Sequence, residues 1–386
     1  MPAKPRRLDA SLTLNSAIQR LAISAMAAII LLYFYGRQQV QTEDLALGAE
    51  NSRWQEEWNG KVFTAPSVAE MVPIIADFSG LKMSAVPGQN VLLWLGNSQL
   101  HAINQATKGD HTSPYWLRTL LPAPDHTLAL GFSLPNANLQ EHLALALYVE
   151  SRIPIRGVII PLVFDDLRED GLRDDFAPIF SAEVRQRMAG YPVGKEITVL
   201  ADAAWRERHP GQENSGLEGF IQKKLEDDLT SGLGMIWPLW QGRPNLRARL
   251  MINLYELRNF VFGIKATTVR KMIRPRYARN MAALTVLFKY CHENKIPVLG
   301  YIAPIRQDVP IPYDPKEYDA WKTEVRVLAT QYSASLINLE SLVPPEYWGK
   351  NTYSGDVDFM HFQGKGHEIL AHALLPFVRS MTLRSN

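Results

Sequence analysis

Cysteine is nearly absent. Cys291 is the only one among 386 residues, so no intrachain disulfide can form and the fold must hold by packing. A chain of this length needs no such staple, so the shortage does not restrict it to the cytosol. No Cys-x-x-Cys or His-Glu-x-x-His pattern occurs, which removes the commonest zinc ligand sets, and neither a metal nor a cofactor is expected. An excess of one charge sign is also lacking. The formal net charge is +2, too little for a protein dominated by phosphate contacts, so nucleic acid is not an expected partner. There is no internal repeat and no low-complexity tract. Apolar residues make up 46% and charged residues 21%, a balance that supplies a large core and argues against disorder.

Long hydrophobic runs are scarce, with one exception near the N-terminus. Lys4, Arg6, Arg7 and Arg20 precede an uncharged stretch from Leu21 to Gly36. It is a little shorter than the roughly 20 residues a membrane span needs, but Arg20 and Arg37 can snorkel. Tyr33 and Tyr35 stand where interface aromatics belong, and Glu43 and Asp44 follow. The charge asymmetry predicts a cytoplasmic tail over 1–20, an inner- or cytoplasmic-membrane anchor over 21–38, and the rest outside, in the periplasm or beyond the cell. A cleaved signal peptide is the alternative, with Ala46-Leu47-Gly48-Ala49 as its cleavage site.

Residues 39–88 read as a juxtamembrane connector with a helix over Ser67 to Phe78. Five short runs then read as strands: 90–95, 127–132, 157–164, 296–302 and 335–339. They are apolar on both faces, which suits a parallel sheet covered by helices. Helical patterns fall at 114–121, 138–149, 318–332 and 366–378. The alternation predicts a doubly wound α/β domain over 89–386 with a five-stranded parallel sheet. A long helical insertion occupies about 165–294. It contains Trp237 and Trp240 beside Arg243, Arg247 and Arg249, read as packed tryptophans next to a solvated basic face.

The chemistry lies at the two ends of this domain. Gly96-Asn97-Ser98-Gln99 follows the first strand, and Asp358-Phe359-Met360-His361 lies near the C-terminus. Open α/β sheets present reactive groups at the carboxyl ends of strands. A serine hydroxyl is a weak nucleophile until a base takes its proton, so His361 is the expected base and Asp358 the group that orients it. A loop before the last helix is the expected seat of His361. The Ser98 backbone amide, at the start of a turn of helix, is a candidate oxyanion donor. His101, one helical turn on, is expected to line the pocket.

These blocks resemble those of the SGNH hydrolase superfamily, the GDSL-type esterases. The first block is similar to Gly96-Asn97-Ser98, with Asn97 in place of the usual Asp, and the last to Asp358-x-x-His361. The resemblance implies an SGNH-like (flavodoxin-like) fold, with Gly131 matching the oxyanion glycine and Asn136 a weaker match. It also puts Asp165 where the family carries an Asn, so that Asn97 and Asp165 are expected at the pocket. The anchored architecture is similar to the DltD-type proteins of D-alanyl transfer and the SGNH partners of alginate acetylation. That branch implies acyl transfer to or from a cell-envelope glycopolymer beside a membrane-bound O-acyltransferase. Ester hydrolysis by the same serine, or a non-catalytic envelope scaffold, are the alternatives.

Overall fold

In the computed structural model the described residues are 56–58, 61–80, 90–121, 127–208, 267–350 and 357–383, with scattered positions between 23 and 30 and between 254 and 263. The chain divides into two compact units, Met1–Ala49 with Gly211–Gly263, and Glu50–Pro210 with Ile264–Asn386. All the elements named below belong to the second. The expected anchor over 21–38 lies almost wholly outside the described residues, as do Trp237, Trp240 and their arginines. Among the described residues no helix is long and apolar enough to cross a membrane.

In chain order the elements are β1 (Glu57–Trp58), β2 (Lys61–Val62), β3 (Thr64–Ala65), α1 (Val68–Gly80), β4 (Asn90–Gly96), α2 (Ser98–His101), α3 (Ser113–Leu120) and β5 (Thr127–Ser133). There follow α4 (Leu139–Glu150), β6 (Ile155–Leu162), α5 (Ala182–Ala189), α6 (Pro192–Arg208), α7 (Arg274–Glu293) and β7 (Val298–Ile302). The series closes with α8 (Pro315–Gln331), β8 (Ser335–Asn338), β9 (Trp348–Lys350), β10 (Val357–Phe362) and α9 (Gly364–Leu383).

The main sheet has six strands in the order β3-β5-β4-β6-β7-β8, and every pair is parallel. The five expected strands are all present. The sixth is the edge strand β3, whose Thr64 and Ala65 pair with Gly131 and Phe132. The expected connector thus contributes to the sheet itself. A two-residue strand at an edge carries no periodicity to read, which is why five strands were expected.

Both faces of the sheet are covered, and β4 shows why its sequence is apolar throughout. Val91, Leu93 and Leu95 enter one core with Met71 and Ile75 of α1, Leu143 and Leu147 of α4, Leu284 and Leu287 of α7, and Trp321 of α8. Leu92 and Trp94 enter the other with Leu117 of α3 and Leu370, Leu374 and Val378 of α9. Successive strand side chains point to opposite faces, so a strand buried on both needs apolar residues at every position. Gly157 of β6 allows α9 to approach closely: a Cβ there would meet Met381 Cε at 2.5 Å.

Much of the expected insertion over about 165–294 lies outside the described residues; what is described of it after β6 is helical. It opens with two 3-10 turns, Asp165–Arg168 and Asp174–Phe176, and continues through α5, α6 and α7. Helix α4 is buried along its length from Leu139 to Val149, so its start has little water to satisfy its free amides. Asn138 replaces that water. Its side chain accepts from the amides of Gln140 and Glu141, and the Glu141 carboxylate accepts from the Asn138 amide. Arg173 closes the arrangement with Nε and Nη2 donated to the two Glu141 oxygens at 2.7 and 2.6 Å.

Replacing Asn138 with Ala removes the cap of a buried helix. The expected loss is about 2 kcal/mol, at the upper end for N-caps, read as a lower urea midpoint with an unchanged slope.

Candidate active site

Strand β4 has β5 on one side and β6 on the other. The chain leaves β4, returns along one flank, and then crosses to the opposite flank. This is the topological switch point of an open parallel sheet, where a crevice forms beyond the carboxyl ends of the strands. Ser98 stands there, two residues after Gly96 ends β4.

Asn97 caps the single turn of α2, accepting from the Gln99 amide at 2.9 Å through Oδ1. That cap fixes the direction in which Ser98 leaves the strand. Ser98 is half-buried, and its Oγ lies 2.8 Å from His361 Nε2. His361 Nδ1 lies 2.8 Å from Asp358 Oδ2. The three residues are therefore brought into one hydrogen-bonded chain. The His361 and Asp358 side chains are 14% and 16% exposed, so the chain opens to solvent.

The proton positions follow from the acid. Burial alone would push the Asp358 carboxyl up, but the His361 imidazole and the amides of Met360 and His361 outweigh it and bring the pKa down to about 2. Those amides donate to Asp358 Oδ1 at 2.8 and 3.0 Å. An ionised carboxylate only accepts, so Nδ1 of His361 carries the proton and Nε2 is left to accept from the Ser98 hydroxyl.

His361 does not sit on a loop, as expected from the sequence, but on β10. This strand is not part of the main sheet; it pairs antiparallel with β9 in a small ribbon. Gln99 ties the ribbon to the sheet. Its Nε2 donates to the Met360 carbonyl at 2.8 Å and to the Pro304 carbonyl, just beyond β7, at 3.0 Å.

The other expected site residues fall differently. Gly131 lies within β5, and its amide donates to the Phe63 carbonyl at 3.0 Å, so it has no N–H left for an oxyanion. Asn136 is exposed on the turn after β5 with φ 52°. The Ser98 amide is the first in α2 and has no intrahelical acceptor. His101 is buried and hydrogen-bonded to Ser133 Oγ at 2.9 Å; burial, then the neighbouring His361 and His367, bring its pKa down to about 3. It is a neutral packing group rather than a pocket wall.

Asp165 turns away from Asn97 and pairs with Arg168 at 3.2 Å and with Arg270. Its neighbour Asp166 is the partner that sequence reasoning missed. Asn97 Nδ2 donates to both Asp166 oxygens, at 3.1 and 2.8 Å. Among the described residues no cation stands beside Asp166. Burial raises its pKa well above the usual carboxylate range, the Asn97 hydrogen bond offsets part of that, and Asp165, Glu169 and Glu141 add to the rise.

His367 lies on α9, packed behind the site. It donates from Nε2 to the Ala102 carbonyl at 3.1 Å and accepts at Nδ1 from the Ser113 amide and hydroxyl at 3.1 and 3.0 Å. Burial brings its pKa down to about 4. It joins the ends of α2, α3 and α9 behind the site and has no opening to solvent.

No family model and no curated protein matches the chain. Among solved structures the chain is similar to an alpha/beta hydrolase enzyme from the metagenome of Lake Arreo, Spain, at 10% identity over 78% of this chain and 98% of that one, with a TM-score of 0.39. It is also similar to a GDSL-like lipase from Bacteroides thetaiotaomicron, at 9% identity over 81% of this chain and 100% of that one, with a TM-score of 0.34. Likeness at this level leaves the chemistry to the geometry of the site itself.

Asp166 makes stability depend on pH in a stated direction. Its folded pKa is raised, so its favourable contribution is complete below the unfolded value and is lost as pH rises through the folded one. Asp166→Asn keeps the shape and an acceptor for Asn97. The expected outcome is a variant more stable than wild type at about pH 8, with the difference vanishing at about pH 4, read from urea unfolding at both pH values.

Proposed function

We propose that the chain is a serine-dependent enzyme that acts on acyl esters, forming an acyl-serine at Ser98. The observation that carries this reading is the continuous hydrogen-bonded chain from Ser98 Oγ through His361 to Asp358, at 2.8 Å per link, placed at the switch point of a parallel sheet. Ser98 Oγ forms a bond to the acyl carbon while its proton passes to His361 Nε2. The imidazolium then protonates the leaving oxygen as its bond to the acyl carbon breaks. Asp358 holds the imidazole in the required tautomer and stabilises its charged form. The Ser98 amide is the backbone donor we assign to the oxyanion. In the second half, an incoming hydroxyl gives its proton to His361, bonds to the acyl carbon, and releases Ser98.

The acceptor in that second half is water in a hydrolase and an alcohol in a transferase. One feature favours an alcohol. A cavity of about 400 Å³ is lined by Gln105, Arg306, Asp308, Glu346, Lys350 and Gln363, together with Pro345 and Trp348. Gln363 is two residues beyond His361. The cationic and anionic side chains balance, and the amides add both donors and acceptors, which suits a hydroxyl-rich, uncharged acceptor better than a fatty chain. On this reading the protein transfers acyl groups to or from an envelope glycopolymer. The N-terminal segment anchors it with the catalytic unit outside, beside a membrane-bound O-acyltransferase.

The expected result is that a fluorophosphonate labels the purified full chain at Ser98, with no label in Ser98→Ala. Labelling of His361→Ala should fall by at least about 10³-fold. A folded wild-type chain that takes no label would leave a non-catalytic scaffold as the better description. Acyl incorporation into envelope glycan, rather than release of free acid, is expected when membranes from cells producing the protein are given acyl donor. Co-purification of a multi-span acyltransferase is expected from the same membranes.

A further inference from the structure

The strand that carries both the base and the acid is poorly held by its own ladder. β10 pairs only with β9, and the register breaks between Val357 and Phe362, so Asp358 to His361 lie inside the irregularity. Asp358 Oδ1 is held by the amides of Met360 and His361, but these belong to the same strand and move with it. They fix the carboxylate relative to His361 and not relative to Ser98.

Asn104 supplies the missing reference. It follows α2 by three residues, on the segment that begins with Ser98. Its Nδ2 donates to Asp358 Oδ2 at 2.8 Å, the same oxygen that accepts from His361 Nδ1. Its backbone amide donates to the Phe362 carbonyl at 3.1 Å. The two bonds straddle the irregular stretch of β10, one at each end.

Two further facts show that this placement is specific. Asn104 is 1% exposed, and its carboxamide lies on the backbone of β9: a Cβ at Gly349 would come within 2.0 Å of Asn104 Cγ. No side chain larger than glycine fits opposite it without displacing it. Asn104 Oδ1 is buried and has no hydrogen-bond partner among the described residues. Turning the amide over would place that oxygen against the Asp358 carboxylate, so the donor to Asp358 determines the orientation even though the other end goes unsatisfied.

We infer that Asn104 is a positioning residue that sets Asp358, and through it His361, against Ser98, and that Gly349 is glycine in order to admit it. The inference rests on the reading of Ser98 as nucleophile. Asn104 touches neither substrate nor the reacting hydroxyl; it acts through the carboxylate. It also differs from Gln99, which holds the β10 backbone at Met360 rather than the Asp358 side chain.

The test uses the full chain with Asn104→Ala, the smaller but polar Asn104→Ser, and Gly349→Ala, which alters neither the triad nor the donor itself. Two readouts are taken on variants whose circular dichroism matches wild type. The first is the concentration dependence of fluorophosphonate labelling. The maximal rate is expected to fall about 10- to 100-fold, as for a misplaced catalytic group, with the half-saturating concentration unchanged. The second is the proton resonance of His361 Nδ1–H in histidine-labelled protein, expected to shift or broaden in all three variants. Wild-type labelling with unchanged rates and an unchanged resonance in the folded variants would overturn the inference while leaving the nucleophile intact. A wild-type chain that takes no label, with the resonance still altered in the variants, would instead sink the reading of Ser98 and leave the Asn104–Asp358 coupling standing.

Discussion

The whole site depends on one constraint: a strand outside the main sheet has to be held against the end of a strand inside it. β4 is fixed by ladders on both flanks and by two cores, so Ser98 has a rigid base. β10 has only a short, irregular pairing with β9. The gap is bridged by the eight residues from Asn97 to Asn104, which carry Ser98 and also the side chains that grip β10. Gln99 takes the Met360 carbonyl and Asn104 takes Asp358. Ser98 and the clamps on the strand of His361 therefore share one short segment, and a shift of that segment moves them together.

The region around Asn97 shows how one residue type sets local electrostatics. With Asn at 97 the amide has both an acceptor for the Gln99 N–H and a donor for Asp166. A carboxylate at 97 would face a second buried carboxyl group at 166, and like charges at that distance cannot both ionise. Asn97 and Asp166 form a matched pair, with the acidic member placed on the turn after β6.

Much of this architecture was legible in the chain. Strands buried on both faces leave continuous apolar runs, as in β4, and all five expected runs are strands, although the edge strand β8 is partly exposed. Ser98, Asp358 and His361 were legible because their signals are short-range: a serine just past a strand, and an acid three residues before a histidine. The sixth strand was not legible, because two residues at an edge show no period. β10 was read as a loop because Asp358 and His361 interrupt its apolar pattern for chemical reasons. Gln99, Asn104 and Asp166 were missed because their partners lie from 69 to 261 positions away, and nothing local marks a polar side chain that reaches so far. Gly131 misled for a related reason: the resemblance pointed to it, but its amide was already committed to Phe63.

The two neutral imidazoles behind the site give it an intrinsic sensitivity to acid. His101 and His367 hold pKa values of about 3 and about 4, against 6.5 when exposed. Between those limits the unfolded chain takes up two protons that the native one refuses, so each step down in pH favours unfolding. His101 lies on the short segment that carries Ser98, bonded to Ser133, and His367 is bonded to the Ala102 carbonyl of the same segment. Protonating either ring would leave a buried cation at that segment, so acid works directly against the turn that holds Ser98.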